Sequence, residues 1–224
     1  LIAAGEVVER PSSVLKELIE NSIDSGATKI VAEIKRGGIA LIRVTDNGCG
    51  MTRDDLPVAL KRHATSKIRD EHDLAAIMTL GFRGEALAAI SSVSRMMIIT
   101  KTKDAEVGSM LTAPAGQVDV LSDVECADGT TVTVEDLFFN VPARRKFLKK
   151  ESTEAMNVAA LVEKVALSRP DISIQLLVDG EERFKTPGGG DRERTAYAVL
   201  GRDFAEKTIP VDGTTGGIHV YGLI

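Results

Sequence analysis

Residues 29–45 read KIVAEIKRGGIALIRVT, a stretch that predicts two strands joined by a tight turn and so gives the main indication of the fold class. In the first seven residues, alternation places Ile30, Ala32 and Ile34 on one face, as in a half-buried strand. The last seven residues form a second strand-like run. The double glycine Gly37-Gly38 between the runs suits a tight antiparallel turn. We therefore expect an antiparallel hairpin in the early part of the chain.

A helix is predicted directly before this hairpin. Pro11 and the two serines after it are typical of a helix start, and Gly26 is typical of a helix stop. At 100° per residue the apolar side chains share one broad face, which consists of Val14, Leu15, Leu18, Ile19 and Ile23. Glu17, Asn21 and Asp24 share another face at spacings of four and three. A solvated polar face is the ordinary explanation, although Asn is a poor helix former that contributes most when its amide has a partner.

The composition is that of an ordinary globular protein. The 224 residues include 28 Lys and Arg against 33 Asp and Glu, a net charge of −5, and 43% of the residues are hydrophobic. This acidic balance argues against a dedicated nucleic-acid binder, whose domain is usually basic, but it allows a local basic patch. With six Phe, two Tyr and no Trp, base stacking is excluded as the main binding chemistry.

The cysteines and the chain ends bear on the cellular compartment. Cys49 and Cys126 cannot build a disulfide framework or a four-ligand zinc site, so we expect reduced thiols in a cytoplasmic protein. No apolar run approaches the ~18 residues of a membrane span. The first residues include Glu6 and Glu9 without a basic start, so they do not form a signal peptide. The chain lacks an initiator Met and stops at Ile224 in a strand-like run, which indicates a fragment.

Helices and strands are mixed in the rest of the chain. After Asp46-Asn47-Gly48-Cys49-Gly50, Thr52 and Asp55 resemble a capping box that opens a helix over residues 54–63. The other predicted helices are 74–80, 85–92, 144–150, 153–168 and 194–200, and the other predicted strands are 96–102, 117–121, 130–135 and 173–178. Residues 186–190 are predicted to be a linker. Hairpins mixed with helices, without strict βαβ alternation, predict an α+β fold with a largely antiparallel sheet.

Two common nucleotide-binding motifs do not fit. No stretch has the G-x-x-x-x-G-K-[S/T] spacing of a Walker loop. The Rossmann fingerprint would use Gly48 and Gly50, but Arg53 then stands where the third glycine belongs. The segment Gly81-Phe82-Arg83-Gly84 runs into a helix, and glycines before a helix N-terminus suit an anion. On this segment alone, an ordinary loop-to-helix junction is the better explanation.

Taken together, these segments resemble the set of sequence motifs of a known protein superfamily. A helix with Glu and Asn, an Asp that ends a strand before two glycines, a G-x-x-G helix start and a later Gly-Thr are similar to the ATPases of the gyrase, heat-shock chaperone, histidine kinase and MutL superfamily. Within it, the resemblance to MutL mismatch-repair proteins is highly specific and covers nearly everything from Leu1 to about Leu148. The matching segments are residues 2–11, 16–22, 46–50, 62–67, 81–87 and 136–148.

The resemblance implies a fold and an activity. The fold is a two-layer α/β sandwich of the Bergerat ATP-binding type with a mixed, mostly antiparallel sheet, and the activity is Mg²⁺-dependent ATP hydrolysis. Glu17 is similar to the general base that activates the attacking water, and Asn21 is similar to the single side-chain ligand of Mg²⁺. Asp46 resembles the acceptor for the adenine amino group, and Gly48 and Gly50 allow the base to approach the backbone.

The resemblance also implies further contacts. In the lid and phosphate segments they are Thr65, Ser66, Lys67, Gly81, Phe82, Arg83, Gly84, Glu85, Ala86 and Leu87. Thr130 after Gly129 matches the threonine beside the adenine-site Asp, with the adjacent Thr131 as the alternative. A basic run is ordinarily a solvated helix face, but here the resemblance indicates that it faces DNA. That run consists of Arg144, Arg145, Lys146, Lys149 and Lys150. At a net charge of −5 we expect the isolated monomer to bind DNA weakly.

At the level of the whole protein, the resemblance implies DNA mismatch repair in a bacterial-like, nucleoid-associated protein without membrane contact. ATP binding would drive homodimerisation and relay mismatch recognition by a MutS-type protein to a downstream endonuclease or helicase. Residues 1–187 would form the ATP-binding domain, and residues 188–224 the truncated start of a ribosomal-protein-S5-like second domain.

Two alternatives compete with this interpretation. A signalling histidine kinase would need a phospho-acceptor helix, and neither His63 nor His72 has suitable surroundings. A non-hydrolysing, nucleotide-gated DNA-binding scaffold would not need Glu17 in its matching place.

Overall fold

The computed structural model describes residues 8–61 and 85–224. The helices are α1 (Pro11–Asp24), α2 (Asp55–Val58), α3 (Ala86–Ser92), α4 (Pro142–Phe147), α5 (Glu151–Ser168), α6 (Arg192–Leu200) and α7 (Arg202–Ala205). The strands are β1 (Lys29–Lys35), β2 (Leu41–Asp46), β3 (Arg95–Lys101), β4 (Gly108–Pro114), β5 (Val120–Val124), β6 (Gly129–Glu135), β7 (Ser173–Val178), β8 (Glu181–Lys185), β9 (Pro210–Thr215) and β10 (Ile218–Leu223).

Eight of these strands form one mixed, mostly antiparallel sheet in the order β5-β4-β3-β6-β2-β1-β7-β8. The pairing of β1 with β7 is parallel, and the other pairings in this sheet are antiparallel. The predicted hairpin is confirmed, since Ile30 lies opposite Asp46 and Lys35 lies opposite Leu41. Strands β9 and β10 form a separate two-stranded antiparallel sheet.

Helices cover one face of the large sheet. Helix α1 packs on β1 and β2, α5 packs on β7 and α1, and α3 packs on β3 and β4. In α5 the buried positions recur every four residues, from Glu154 through Val158 and Val162 to Ala166. Along β1 every second residue is buried and the intervening ones are exposed or half-buried, as expected for a sheet covered on one face. The predicted α+β, two-layer architecture is therefore confirmed.

Several elements differ from the sequence predictions, and neither strand β8 nor helix α7 was predicted. Strand β4 was not predicted, because its sequence GSMLTAP contains Gly, Ser and Pro among few β-branched residues. Strand β5 lies at Val120–Val124 and not at 117–121, since its start is set by pairing with β4. The helix predicted over 54–63 is a single turn, Asp55–Val58, although the hydroxyl of Thr52 does cap the backbone N–H of Asp55. The helix predicted at 74–80 lies outside the described residues.

The segment predicted as a linker is anchored at its start. Thr186 is fully buried, and its hydroxyl accepts the backbone N–H of Ile174 at 2.8 Å. The N–H of Gly189 donates to the carbonyl of Asp171 at 3.1 Å. Beyond it, the guanidinium of Arg192 lies 3.9 Å from the ring centroid of Tyr221 in β10. Residues 186–190 are therefore tied to the loop before β7.

In the part of the chain that the structure describes, no helix is long and apolar enough to span a membrane.

Candidate functional site

The buried carboxylate of Asp46 lies at the centre of the site. Asp46 ends β2 and is 9% exposed. Its Oδ2 accepts the hydroxyl of Ser22 at 2.7 Å, and its Oδ1 accepts the backbone N–H of Gly48 at 2.9 Å. Burial raises the pKa of Asp46, and hydrogen bonds from Ser22 and from the backbone of Gly48 and Thr130 oppose that rise. The carboxylate is thus a fixed acceptor with capacity left for one further donor.

Helix α1 brings the other polar groups to the same place. Ser22 belongs to the stripe that α1 buries against the sheet, together with Leu15 and Leu18. Asn21 and Glu17 are half-buried beside that stripe. A spacing of four residues places them on one side of the helix, about 6 Å apart along its axis. The candidate base and the candidate metal ligand therefore lie on the element that also contacts Asp46.

The turn after Asp46 is packed tightly on both sides. The carboxamide oxygen of Asn47 accepts the N–H groups of Thr28 and Lys29 at 2.9 and 2.8 Å, so Asn47 holds the start of β1. A Cβ on Gly48 would collide with the hydroxyl of Ser25 at the end of α1. Gly50 has φ +70°, and a Cβ there would collide with the backbone carbonyl of Lys101. Both glycines are required by these protein contacts.

The two candidate threonines point to opposite faces of the sheet. Thr130 pairs with Asp46 across β6 and β2 and shares its face. Its hydroxyl lies 3.0 Å from that of Thr100, which also accepts the N–H of Met51 at 2.9 Å. Thr131 pairs with Thr45, and its hydroxyl donates to that residue at 3.1 Å. The geometry therefore groups Thr130, and not Thr131, with Asp46.

Two members of this group, Ser22 and Thr100, were not predicted from the sequence. Ser22 stood within a matching segment but was given no role. A polar residue at a position of the buried stripe of α1 was the available indication for it. No local sequence pattern indicates Thr100, because its contact with Thr130 depends on the pairing of β3 with β6.

The lid and phosphate segments are described only in part. Thr65, Ser66, Lys67, Gly81, Phe82, Arg83 and Gly84 lie outside the described residues. Glu85, Ala86 and Leu87 are half-buried at the start of α3. The far end of α3 is fixed by Phe138, a fully buried residue with φ +63° whose N–H donates to the carbonyl of Val93 at 2.7 Å.

The basic run does not form one continuous helix face. Arg144 is half-buried, and its Nη1 donates to the carbonyl of Val8 at 3.5 Å. Arg145 and Lys146 are exposed on α4. Lys149 and Lys150 are exposed in the connection to α5, because α4 ends at Phe147.

The metal ligand predicted from the sequence is Asn21 on α1. Among residues 8–61 and 85–224, no group of three or more His, Cys, Asp and Glu is placed to hold an ion. The amide oxygen of Asn21 is a hard ligand of the kind that Mg²⁺ accepts, and Mg²⁺ usually takes its remaining ligands from phosphates and water. The residues present therefore fit a Mg²⁺ ion that arrives with a nucleotide.

The chain is similar in sequence to known ATPases and mismatch repair proteins. Residues 9–124 match the family described as histidine kinase-, DNA gyrase B- and HSP90-like ATPases. The DNA mismatch repair proteins MutL of Agathobacter rectalis and Geotalea uraniireducens are 48% and 49% identical over 223 residues. These matches cover 100% of this chain but 34% and 37% of the relatives, so the chain spans about a third of their length.

Solved structures give the same result. The Aquifex aeolicus MutL ATPase domain complexed with ADP is 33% identical with a TM-score of 0.73, and the match covers 92% of this chain and 73% of that one. A second structure, of the ATPase domain of the mismatch repair endonuclease Aquifex aeolicus MutL, is 32% identical with a TM-score of 0.75. This match covers 97% of the present chain and 73% of the Aquifex chain. The fold and these matches together show that the chain belongs to the MutL family of DNA mismatch repair proteins, in its ATPase domain.

Proposed function

We propose that this chain binds ATP and hydrolyses it with the help of Mg²⁺, as part of a MutL-type mismatch repair protein. The observation that carries the proposal is the buried carboxylate of Asp46, which is held as an acceptor beside the helix that bears Glu17 and Asn21. The relative crystallised with ADP supports a nucleotide as the ligand of this fold.

Asp46 would recognise adenine. Its carboxylate would accept a hydrogen bond from the 6-amino group, whereas guanine presents a carbonyl there and would leave the charge unpaired. The hydroxyl of Thr130, on the same face of the sheet, would complete the base pocket together with Gly48 and Gly50.

Glu17 and Asn21 would carry out the chemistry. Glu17 would orient and deprotonate the water that attacks the γ-phosphate, as a general base does. Asn21 would hold Mg²⁺, which supplies charge neutralisation at the phosphate oxygens when it is bound. Both residues lie on α1, so a single rigid element fixes the distance between base and metal ligand.

The signature segments would hold the phosphates and close over them. The residues concerned are Thr65, Ser66, Lys67, Gly81, Phe82, Arg83, Gly84, Glu85, Ala86 and Leu87. Glycines before the start of α3 would bring backbone N–H groups to the anion.

At the level of the assembly, ATP binding would drive homodimerisation and relay mismatch recognition by a MutS-type protein to a downstream endonuclease or helicase. Residues 1–187 would form the ATP-binding domain, and residues 188–224 would begin a second domain. DNA would contact the exposed cations Arg145, Lys146, Lys149 and Lys150 of the basic run, with low affinity in the monomer because the chain has a net charge of −5.

The proposal is tested by titrating the chain with a non-hydrolysable ATP analogue while binding and molecular mass are followed. Phosphate release is then measured with Mg²⁺ and with a chelator. We expect saturable binding, an increase in mass and release that needs Mg²⁺. Binding without release would favour the scaffold alternative, and transfer of phosphate to a histidine of the protein would favour the kinase alternative.

A further inference from the structure

Ser22 connects α1 to the carboxylate of Asp46. It is 3% exposed, and its Oγ lies 2.7 Å from Oδ2 of Asp46 and 3.1 Å from the carbonyl oxygen of Leu18. A serine hydroxyl has one proton to donate, so these two acceptors compete for it. The shorter distance and the charge of the carboxylate assign the proton to Asp46.

Other buried serines in the same fold show the ordinary arrangement. A serine within a helix commonly donates to a carbonyl three or four residues earlier. Ser91 in α3 donates to the carbonyl of Ala88 at 3.0 Å, and Ser94, just beyond the end of α3, donates to that of Ile90 at 2.7 Å. In Ser22 the same local bond is the longer of its two contacts. Its hydroxyl therefore serves a contact 24 residues away in the sequence rather than its own helix.

We propose that Ser22 is a positioning residue that determines base specificity, because its hydroxyl fixes the carboxylate of Asp46 as an acceptor for the 6-amino group of adenine. The inference rests on the proposed role of Asp46. With Ser22 on Oδ2 and the N–H of Gly48 on Oδ1, each oxygen has a donor, and the carboxylate cannot rotate without losing one of them. The remaining acceptor capacity is thereby aimed in one direction.

The hydrogen bond from Ser22 also favours the charged form of Asp46. Burial raises the pKa of the carboxyl, and the hydroxyl of Ser22 opposes that rise more than the backbone of Gly48 or Thr130 does. A protonated carboxyl would donate a hydrogen bond and would suit a 6-oxo purine. The charged carboxylate only accepts, and so it rejects a 6-oxo group.

The test compares the affinities for ADP and inosine diphosphate, which has a 6-oxo group, by titration calorimetry. In the Ser22→Ala variant we expect the ratio of the two affinities to fall about two- to tenfold, the usual worth of one hydrogen bond. Ser22→Thr keeps a hydroxyl and should restore the ratio. Ser91→Ala is the matched control, since it removes another buried hydroxyl and should leave the ratio unchanged. An equal loss of both affinities in Ser22→Ala would overturn the inference, because it would indicate a merely structural role.

Two further variants keep the outcome clear. If Ser22→Ala does not fold, Ser22→Cys keeps the volume with a weak donor, and its ratio should also fall. If Asp46→Ala keeps the parental ratio, the proposed role of Asp46 fails. If Asp46→Ala loses the ratio while Ser22→Ala keeps it, the inference about Ser22 alone is wrong.

Discussion

Replacing Asp46 by Asn is expected to weaken ADP binding while it stabilises the folded chain. Asn has the same shape and can keep the local hydrogen bonds. Its oxygen can accept the N–H of Gly48, and its amide can donate to the hydroxyl of Ser22, which then turns its proton to the carbonyl of Leu18 at 3.1 Å. What is lost is the negative charge.

The size of the effect on binding follows from that charge. A hydrogen bond to a charged group contributes about 1.5–3 kcal/mol and a neutral one about 0.5–1.5 kcal/mol. The difference of about 1.4 kcal/mol corresponds to a roughly tenfold loss of ADP affinity in Asp46→Asn. Asp46→Ala removes the acceptor altogether and should lose about tenfold to a hundredfold.

The effect on stability has the opposite sign and depends on pH. Because burial raises the pKa of Asp46, its contribution to stability is present below the ordinary value of 3.8 and is lost as the pH rises through the folded value. Asn does not titrate and avoids that loss. The Tm of Asp46→Asn should therefore match that of the parent at low pH and exceed it at neutral pH. The expected increase is about 2–4 °C for each kcal/mol gained in the free energy of unfolding.

The assay combines two measurements on the parent chain and on Asp46→Asn. They are titration calorimetry with ADP at pH 7.5 and thermal unfolding in a series of buffers from acid to neutral pH. ADP affinity that is unchanged in Asp46→Asn would refute the placement of adenine on this carboxylate. A neutral-pH Tm below that of the parent would refute the reasoning about the buried charge.

Three further predictions concern other parts of the site. Gly50→Ala should destabilise the chain by about 1–3 kcal/mol in denaturant unfolding, and by more than Gly180→Ala. Both glycines have positive φ, but only a Cβ on Gly50 would also meet a backbone carbonyl, so equal losses of stability would contradict this prediction. Thr130→Ala should weaken ADP binding about two- to tenfold in calorimetry, whereas Thr131→Ala on the other face should not, and the reverse order would exchange their roles. Asn21→Ala should raise the Mg²⁺ concentration for half-maximal phosphate release by about tenfold, and an unchanged Mg²⁺ dependence would remove Asn21 from the metal site.

The sequence predicted the elements whose pattern is local. Helix α1 and the β1–β2 hairpin have clear periodicity and clear stops, and both were predicted close to their observed bounds. Strand β4 was missed because it is defined by its neighbours β3 and β5 more than by its own residues.

The candidate site also contains residues that the sequence predicted and contacts that only the tertiary structure shows. Glu17, Asn21 and Asp46 stood in recognisable segments. The contact of Ser22 with Asp46 and the pairing of Thr130 with Asp46 depend on helix packing and strand order, to which no local pattern gives access. The choice between Thr130 and Thr131 needed the register of β6 against β2, because a shift of one residue exchanges the two faces.

One comparison decides whether this chain hydrolyses ATP with Glu17 as the general base. Phosphate release and ADP binding are measured side by side for the parent chain and for Glu17→Ala. For Glu17→Ala we expect ADP affinity within about twofold of the parent and a hydrolysis rate lower by about 10²–10⁴-fold. Phosphate release by Glu17→Ala at the parental rate would contradict it.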